Sequence, residues 1–360
     1  MFLRLIARIT MIISLCIGLF AWIVPMISKA YPAPIIAYIR RDALFDSYHL
    51  YVLDIWRGAT VRLTYFDNSN TQPAWSPDGR YLLFTAGGDF NPITRRSLTR
   101  RIFQMNFSTR TQRLLTDNGR GVNERNASWS STGRIAYAVF RSDNWDIAIT
   151  RPNQHQTQLV SNMGQPMNTP ANEHTPRWSP DGTQIAYLVG GDFINELAVA
   201  DANGENARIL TNGMRILTTE FDWSPSGTHI VFTSQRDGNI EIYTVNIANG
   251  ALINLSRHQR EDFAPRWSPN GDKIAFISTR NGGHHLFLMT VDGVDVQQLT
   301  FDDARLVIVV WSPDAEWLVY GATTAYQPNQ HLFVISAQGG NPRQLTFGAS
   351  DNFSPTWKPR

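Results

Sequence analysis

A tryptophan recurs along this chain at a nearly constant interval, and that interval limits the fold more than any other feature. Trp-Ser-Pro stands at Trp75, Trp178, Trp223, Trp267 and Trp311. Trp129 opens a degenerate Trp-Ser-Ser copy, and Trp357 opens a final Trp-Lys-Pro. Successive tryptophans are 54, 49, 45, 44, 44 and 46 residues apart. A fixed period of this length marks a repeat architecture, in which each repeat is one supersecondary unit that buries its apolar faces against its neighbours.

Each unit reads as four short strands. After each tryptophan comes a turn and then an apolar run: Tyr81–Thr85, Ile135–Val139, Ile185–Val189, Ile230–Thr233, Ile274–Ser278 and Trp317–Tyr320. A second run follows, as in Ile240–Val245, His285–Thr290 and His331–Ile335, and a third ends in Leu-Thr or a relative, as at Leu299-Thr300. Runs of this length, rich in Val, Ile, Tyr and Phe and bounded by Gly, Asn, Asp and Pro, are strands. Four antiparallel strands in about 45 residues make a β-propeller blade. In Ser76-Pro77-Asp78-Gly79 and Ser179-Pro180-Asp181-Gly182, Ser at i, Pro at i+1 and Gly at i+3 suit a type I turn. The recurring Asp is therefore read as turn chemistry, not catalysis.

Counting strands predicts how the ring closes. Ile35–Ile39, Tyr48–Leu53 and Val61–Thr64 form a blade lacking its first strand, and Ser354–Trp357 is a first strand lacking the rest. The expected fold is all-β: a seven-bladed propeller of four-stranded antiparallel blades, closed by pairing the C-terminal strand with the N-terminal blade. Residues 31–360 divided by seven give about 47 per blade, in keeping with the period. Such pairing also removes exposed sheet edges.

The segment ahead of the repeats has another character. Arg4 and Arg8 precede Ile9–Ile27, 19 residues without a charge, enough for roughly 28 Å of helix. Residues 1–30 are expected to form one hydrophobic helix that serves as a signal peptide or an N-terminal transmembrane anchor. Ser28-Lys29-Ala30 has the small-x-small form of a cleavage site. The basic flank favours an N-terminus inside the cell. The propeller is then extracytoplasmic, either on a single-pass cell-membrane anchor or exported after cleavage behind Ala30.

Composition excludes several chemistries. The one cysteine, Cys16, lies in the apolar segment, so the repeats hold no disulfide, thiol nucleophile or thiolate zinc site. A formal net charge of +2 gives no reason to expect nucleic acid as a partner. No Gly-x-Ser-x-Gly elbow, His-Glu-x-x-His, Walker A loop or dinucleotide fingerprint occurs.

The pattern Pro-x-Trp-Ser-Pro-Asp-Gly, an apolar strand, Ser/Thr-x-Arg-x-Gly, an Ile-Tyr-like strand and Leu-Thr resembles the TolB-type, WD40-like (PD40) propeller repeat. Thr233-Ser234-Gln235-Arg236-Asp237-Gly238 and Ile277-Ser278-Thr279-Arg280-Asn281-Gly282 are close copies. The resemblance covers almost all of residues 31–360. TolB itself is known for six such blades behind an additional N-terminal domain. Seven are counted here, and the expectation is that no room is left for that domain within residues 31–360, so the resemblance is taken to carry the repeat and not a Tol envelope role. Peptidases of the prolyl-oligopeptidase group use similar propellers beside a hydrolase domain that this sequence does not show.

Function in a propeller belongs to loops on a rigid scaffold. Five residues before the tryptophans stand Asn70, Glu124, Glu173, Thr218, Asp262, Leu306 and Asn352, mostly polar, with Arg125, Arg177, Arg266 and Arg305 close by. His174 and His258 fall in the same loops, and His284 and His285 open a strand. The channel-mouth candidates are Glu124, Arg125, Glu173, His174, Arg177, Asp262, Arg266 and His284. Repeated acids before a strand also hydrogen-bond their own backbone, and each His has a structural role as its default. Arg95, Arg96, Arg100 and Arg101 crowd one long insertion, where a solvated loop is the plain reading.

The leading expectation is a non-catalytic binding scaffold for a protein segment or glycan at the funnel face, with no catalytic residue, cofactor or resident metal. The alternative comes from resemblance. Some seven-bladed propellers with similar repeats are oligogalacturonate lyases with a His-bound divalent cation. His174, His258, His284 and His285 would then supply ligands, and Arg177 or Arg266 would hold a substrate carboxylate.

Overall fold

The computed structural model describes residues 34–359, apart from 43–46, 66–69, 88–89, 92–95, 98, 117–121, 142–143, 153–157, 160–171, 192–193, 217–219 and 325–326. The expected N-terminal helix lies outside the described residues. Among those residues the regular structure is all strand: seven four-stranded antiparallel sheets and one two-stranded ribbon, Phe90–Asn91 with Arg96–Ser97.

Each sheet is one blade. Blades 1 to 6 begin with the inner strands Thr71–Trp75, Asn123–Trp129, Asn172–Trp178, Phe221–Trp223, Asp262–Trp267 and Ala304–Trp311. Blade 7 takes its inner strand, Asp351–Trp357, from one end of the chain and Ile35–Asp42, Ser47–Asp54 and Thr60–Arg62 from the other. The predicted closure is present, with Ile36 opposite Trp357 and Arg41 opposite Asp351.

Seven apolar clusters hold the ring, one at every blade-to-blade boundary. The second strands show why their sequences run apolar without a break. Side chains alternate between the two faces of a strand, and both faces are covered here. Ile274 and Phe276 pack toward blade 4, while Ala275 and Ile277 pack toward blade 6. Each full burial of such a side chain stabilises by about 1.5–3 kcal/mol.

The repeated residues have repeated tasks. Each tryptophan packs against the blade before its own. Three indole N–H groups also donate across the boundary, Trp223 to Arg177 O and Trp311 to Arg266 O at 3.1 Å, and Trp357 to Val310 O at 3.4 Å. In the turns, Ser76 Oγ and Ser179 Oγ donate to Asp78 and Asp181 at 2.6 Å. The same hydroxyls accept Tyr81 N and Gln184 N at 2.9 Å. The Ser179 hydroxyl holds the Asp181 carboxyl below its ordinary range. Gly182 follows with φ 71°, a conformation that disfavours L side chains.

The Leu-Thr motif is a cap on the third strand. Thr64, Thr211, Thr300 and Thr346 each accept the backbone N–H of a leucine on that strand, at 2.8–2.9 Å. Ser256 does the same for Ile242. Blade 1 differs, because Ile102 N donates to Glu124 instead.

Strand order separates two faces. The Ser-Pro-Asp-Gly turns and the turns between third and fourth strands share one, here the turn face. The linkers between blades and the loops between second and third strands share the other, the mouth face.

Candidate functional site

The inner strands surround the central channel, and a backbone irregularity decides what they show it. Three residues before the tryptophan, Gln72, Asn126, Thr175, Ala264 and Ser354 all have φ between 48° and 57°. The strand register slips there, between Thr71 and Ala74, Arg125 and Ser128, His174 and Arg177, and Phe263 and Arg266. Each is a β-bulge, and a left-handed L-residue costs roughly 1–2 kcal/mol. Three of these side chains link into a belt across blades 1 to 3. Gln72 Nε2 donates to Asn126 Oδ1 at 3.3 Å, Gln72 Oε1 accepts Asn126 N at 2.9 Å, and Asn126 Nδ2 donates to Thr175 Oγ1 at 3.1 Å.

The residue immediately before the tryptophan forms a second ring: Ala74, Ser128, Arg177, Asp222, Arg266, Val310 and Thr356. Charge is confined to blades 3, 4 and 5. Arg266 Nη2 meets Glu220 Oε2 at 2.9 Å, and Arg266 Nη1 donates to Pro265 O at 3.0 Å. Asp222 accepts Trp267 N at 2.9 Å. Burial pushes the Asp222 carboxyl up, against the pull of Arg266 and Arg177. Burial, with repulsion from Arg266, pushes the Arg177 guanidinium down, against Asp222 and Glu220. Arg177 stands 5.4 Å from the Phe221 ring centroid, and its Nε is buried without a protein acceptor. A guanidinium carries five N–H donors in a fixed fork that fits a carboxylate.

The other candidates sit differently. Glu124 is fully buried. It accepts Ile102 N at 3.1 Å and the Thr116 hydroxyl, with Arg101 Nε at 3.5 Å. Asp262 is fully buried against Arg280 Nη2, 3.0 Å from each carboxylate oxygen. Asn70 and Asn352, at the same position, donate to Tyr48 O and Gln330 O in the preceding blade. Glu173 is buried too, and the buried His174 has both ring nitrogens engaged, with Thr175 Oγ1 at 3.0 Å and Asn195 Oδ1 at 2.9 Å. Arg125 lies 3.8 Å over the Trp145 ring. His284 stands edge-on to Phe263 at 5.3 Å, with Nδ1 3.3 Å from Leu306 O.

Of the eight, the structure brings Arg177 and Arg266 into one charged group. Glu124, Glu173, His174 and Asp262 are buried where the inner strand meets its neighbours, and Arg125 and His284 rest on aromatic rings. Among the described residues no three His, Cys, Asp or Glu side chains stand close enough to hold a metal ion. Thr218, Arg95 and the Arg96 side chain lie outside the described residues. Arg101 is buried and donates to Thr116 O at 2.6 Å, so it leaves the predicted Arg cluster.

Two features escaped the sequence reading. Glu220 and Asp222 complete the channel group; their signal was their place just ahead of Trp223. Tyr65, Phe301 and Phe347, 64%, 73% and 66% exposed, each follow a Leu-Thr cap in the linkers of blades 7, 5 and 6. They form an aromatic arc over three consecutive blades of the mouth face.

These features define a closed seven-bladed propeller whose channel carries a polar belt and a charged group. The chain belongs to the PD40 family, described as the TolB beta propeller domain, which matches residues 126–262 and 195–360. It is 27% identical over 169 residues to Tol-Pal system protein TolB of Francisella tularensis subsp. mediasiatica, covering 46% of this chain and 35% of that protein. The chain spans about a third of the length of the curated relatives it matches. TolB from Acinetobacter baumannii superposes with a TM-score of 0.59 at 20% identity, over 91% of this chain and 67% of that one. A puromycin-hydrolyzing peptidase of Mycobacterium tuberculosis gives 0.68 at 12% identity, over 88% of this chain and 51% of that one. At such identities the solved structures share the fold alone.

Proposed function

We propose that this chain is an extracytoplasmic propeller, anchored through residues 1–30, that acts as a non-catalytic scaffold and takes a carboxylate-bearing protein segment into its channel mouth. The carrying observation is Arg177, a channel guanidinium whose buried Nε has no protein acceptor, beside the Arg266–Glu220 pair. A charge-assisted bond in such a setting is worth more than an exposed one. The exposed arc of Tyr65, Phe301 and Phe347 supplies flat apolar surface for the flanking residues. A similar protein is named for the Tol-Pal system, which favours a protein partner over a glycan. The reading needs no cofactor, and no observation favours the lyase alternative over it.

Selection of displayed random peptides on the full-length protein tests this. Enriched peptides should share an Asp, a Glu or a terminal carboxylate beside an aromatic residue. Arg177→Gln should weaken them at least tenfold, about 1.4 kcal/mol, while Arg80→Gln on the turn face leaves them unchanged. No enrichment, or enriched peptides indifferent to Arg177, refutes the reading.

A further inference from the structure

The sheet topology fixes where the chain joins the ring. Strand Ile35–Asp42 starts opposite Trp357, where the last inner strand ends, and therefore on the turn face. Pro34 O accepts Ile55 N at 3.1 Å, and Ile35 O accepts Lys358 N at 2.8 Å. Ahead of Pro34 the apolar run ends at Ile27. Seven peptide steps reach at most about 25 Å when fully extended.

That reach is too short to turn the molecule over. Asp351–Trp357 spans seven residues, about 23 Å along the channel. Two further strands, each about 4.8 Å wide, lie between Ile35–Asp42 and the outside of its blade. A tether of about 25 Å cannot round the blade and also cover its full height.

The surface where the chain joins has chemistry suited to the neighbourhood. Trp56 is 49% exposed beside Ile55 and stands edge-on to Trp317 at 4.9 Å. Arg343 lies 5.4 Å over the Trp56 ring and donates to Ile55 O at 2.8 Å. Arg57 pairs with Asp54 next to Trp56, and Arg80 and Lys358 stand on the same face at the neighbouring turn of blade 1, where Lys358 Nζ lies 5.9 Å from the Trp75 ring centroid; the acids of these turns are Asp54, Asp78, Asp314 and Glu316. Asp54 is buried, 3.5 Å from Arg57, and accepts the N–H groups of Trp56 and Arg57. Asp78 and Asp314 are tied into their turns. Exposed tryptophan backed by arginine is the composition of a membrane–water boundary, where an amphipathic ring sits at headgroup level.

We propose that the Trp56 sector of the turn face rests on phospholipid headgroups, so that the channel mouth opens away from the bilayer. This rests on the anchor reading above and adds the orientation. A ligand then arrives from the far side, and the arc of Tyr65, Phe301 and Phe347 stays clear of lipid.

The test uses the full-length protein in vesicles of phosphatidylcholine and phosphatidylglycerol that carry a nitroxide headgroup lipid. In a Cys16→Ser background, one fluorophore is placed at Ser108, on the turn face of the adjoining blade, or at Phe347, on the mouth face. The Ser108 probe should lose most of its emission and the Phe347 probe almost none. Adding Trp56→Ser should restore emission at Ser108. Equal quenching, stronger quenching at Phe347, or none at either site overturns the proposal. Carbonate extraction reports separately on the anchor. Protein that is extracted yet quenched at Ser108 refutes anchoring and supports the lipid-facing sector. Protein that stays and is quenched equally at both sites retains the anchor and refutes the orientation.

Discussion

Replacing Thr300 with valine probes whether the Leu-Thr motif is a backbone cap. Thr300 Oγ1 accepts Leu286 N at 2.9 Å, and both residues are buried. Valine keeps nearly the same outline and removes the side chain's only hydrogen-bond acceptor. The Leu286 N–H then stays in the blade with no acceptor, which costs about 1–3 kcal/mol. Thr300→Ser is the matched control. It keeps the hydroxyl and loses one methyl, worth about 0.8 kcal/mol. The order of stability should be Thr, then Ser, then Val.

Urea unfolding gives that order, and amide exchange shows where the change lies. The segment His285–Thr290 should exchange faster in the valine variant and almost as slowly as the parent in the serine variant. The same ranking should recur at Thr64, Thr211 and Thr346, whose bonds are 2.8–2.9 Å long. If valine equals or exceeds serine, with exchange at Leu286 unchanged, the motif stabilises through its methyl group and the capping argument fails.

Ala315 holds φ 59° where equivalent turns place glycine, so Ala315→Gly should raise the unfolding free energy measured in urea by up to about 1 kcal/mol, the strain relieved less the glycine entropy; a drop would show that its contact with the neighbouring core matters more. Burial holds the His331 and His285 imidazoles below their ordinary pKa, outweighing Asp351 at the first and Asp303 and Asp302 at the second. The unfolded chain therefore takes up these protons first, and the stability these groups confer is complete above about pH 6.5 and is lost as pH falls through the folded values. His331→Gln should flatten the pH dependence of stability between about pH 7 and 5 relative to the parent, and an unchanged slope refutes the assignment; Asp222, with its pKa raised, acts in the opposite sense and is common to both proteins. Asn126→Gly should relieve a left-handed residue yet remove the side-chain bonds to Gln72 Nε2 and Thr175 Oγ1, so stability should move by under about 1 kcal/mol while peptides selected on the parent bind less tightly; unchanged binding would separate the belt from the ligand.

The repeat made the fold legible because each recurring position in it has a local physical task that sequence can show. Tryptophan spacing gave the blades, the Ser-Pro-Asp-Gly turn gave the direction change, and the split blade gave the closure. The site was less legible, for one geometric reason. In a regular strand, positions one, three and five before a tryptophan would share one face, the one opposite the tryptophan, and would all be shown to the channel together. A bulge at the third position inserts one residue and breaks the alternation. Arg177, one position before Trp178, therefore belongs to the channel group, while Glu124 and Asp262, five before their tryptophans, are buried against neighbouring strands. Sequence showed the recurrence of a polar residue but not the bulge that redirects it. The left-handed residues themselves are Gln, Asn, Thr, Ala and Ser, and only Asn hints at such a conformation.

The two faces and the wall between them differ in what each can spare. The turn face is occupied with itself: its Ser, Asp and Gly residues hold each hairpin, and its exposed tryptophan is braced by Trp317 and Arg343. The second and third strands are filled by seven shared cores, and a change there is felt by two blades at once. The channel is different. Its five left-handed residues and its charged group add strain and desolvation that no packing gain at those positions repays. The cores around the ring are large enough to carry that burden, and they hold the strained backbone in place without its help. Chemistry that is unfavourable for the scaffold and held rigid by it is the arrangement expected of a recognition site, and in this chain the side-chain belt and the charged group lie on blades 1 to 5, beside the aromatic arc of blades 5 to 7.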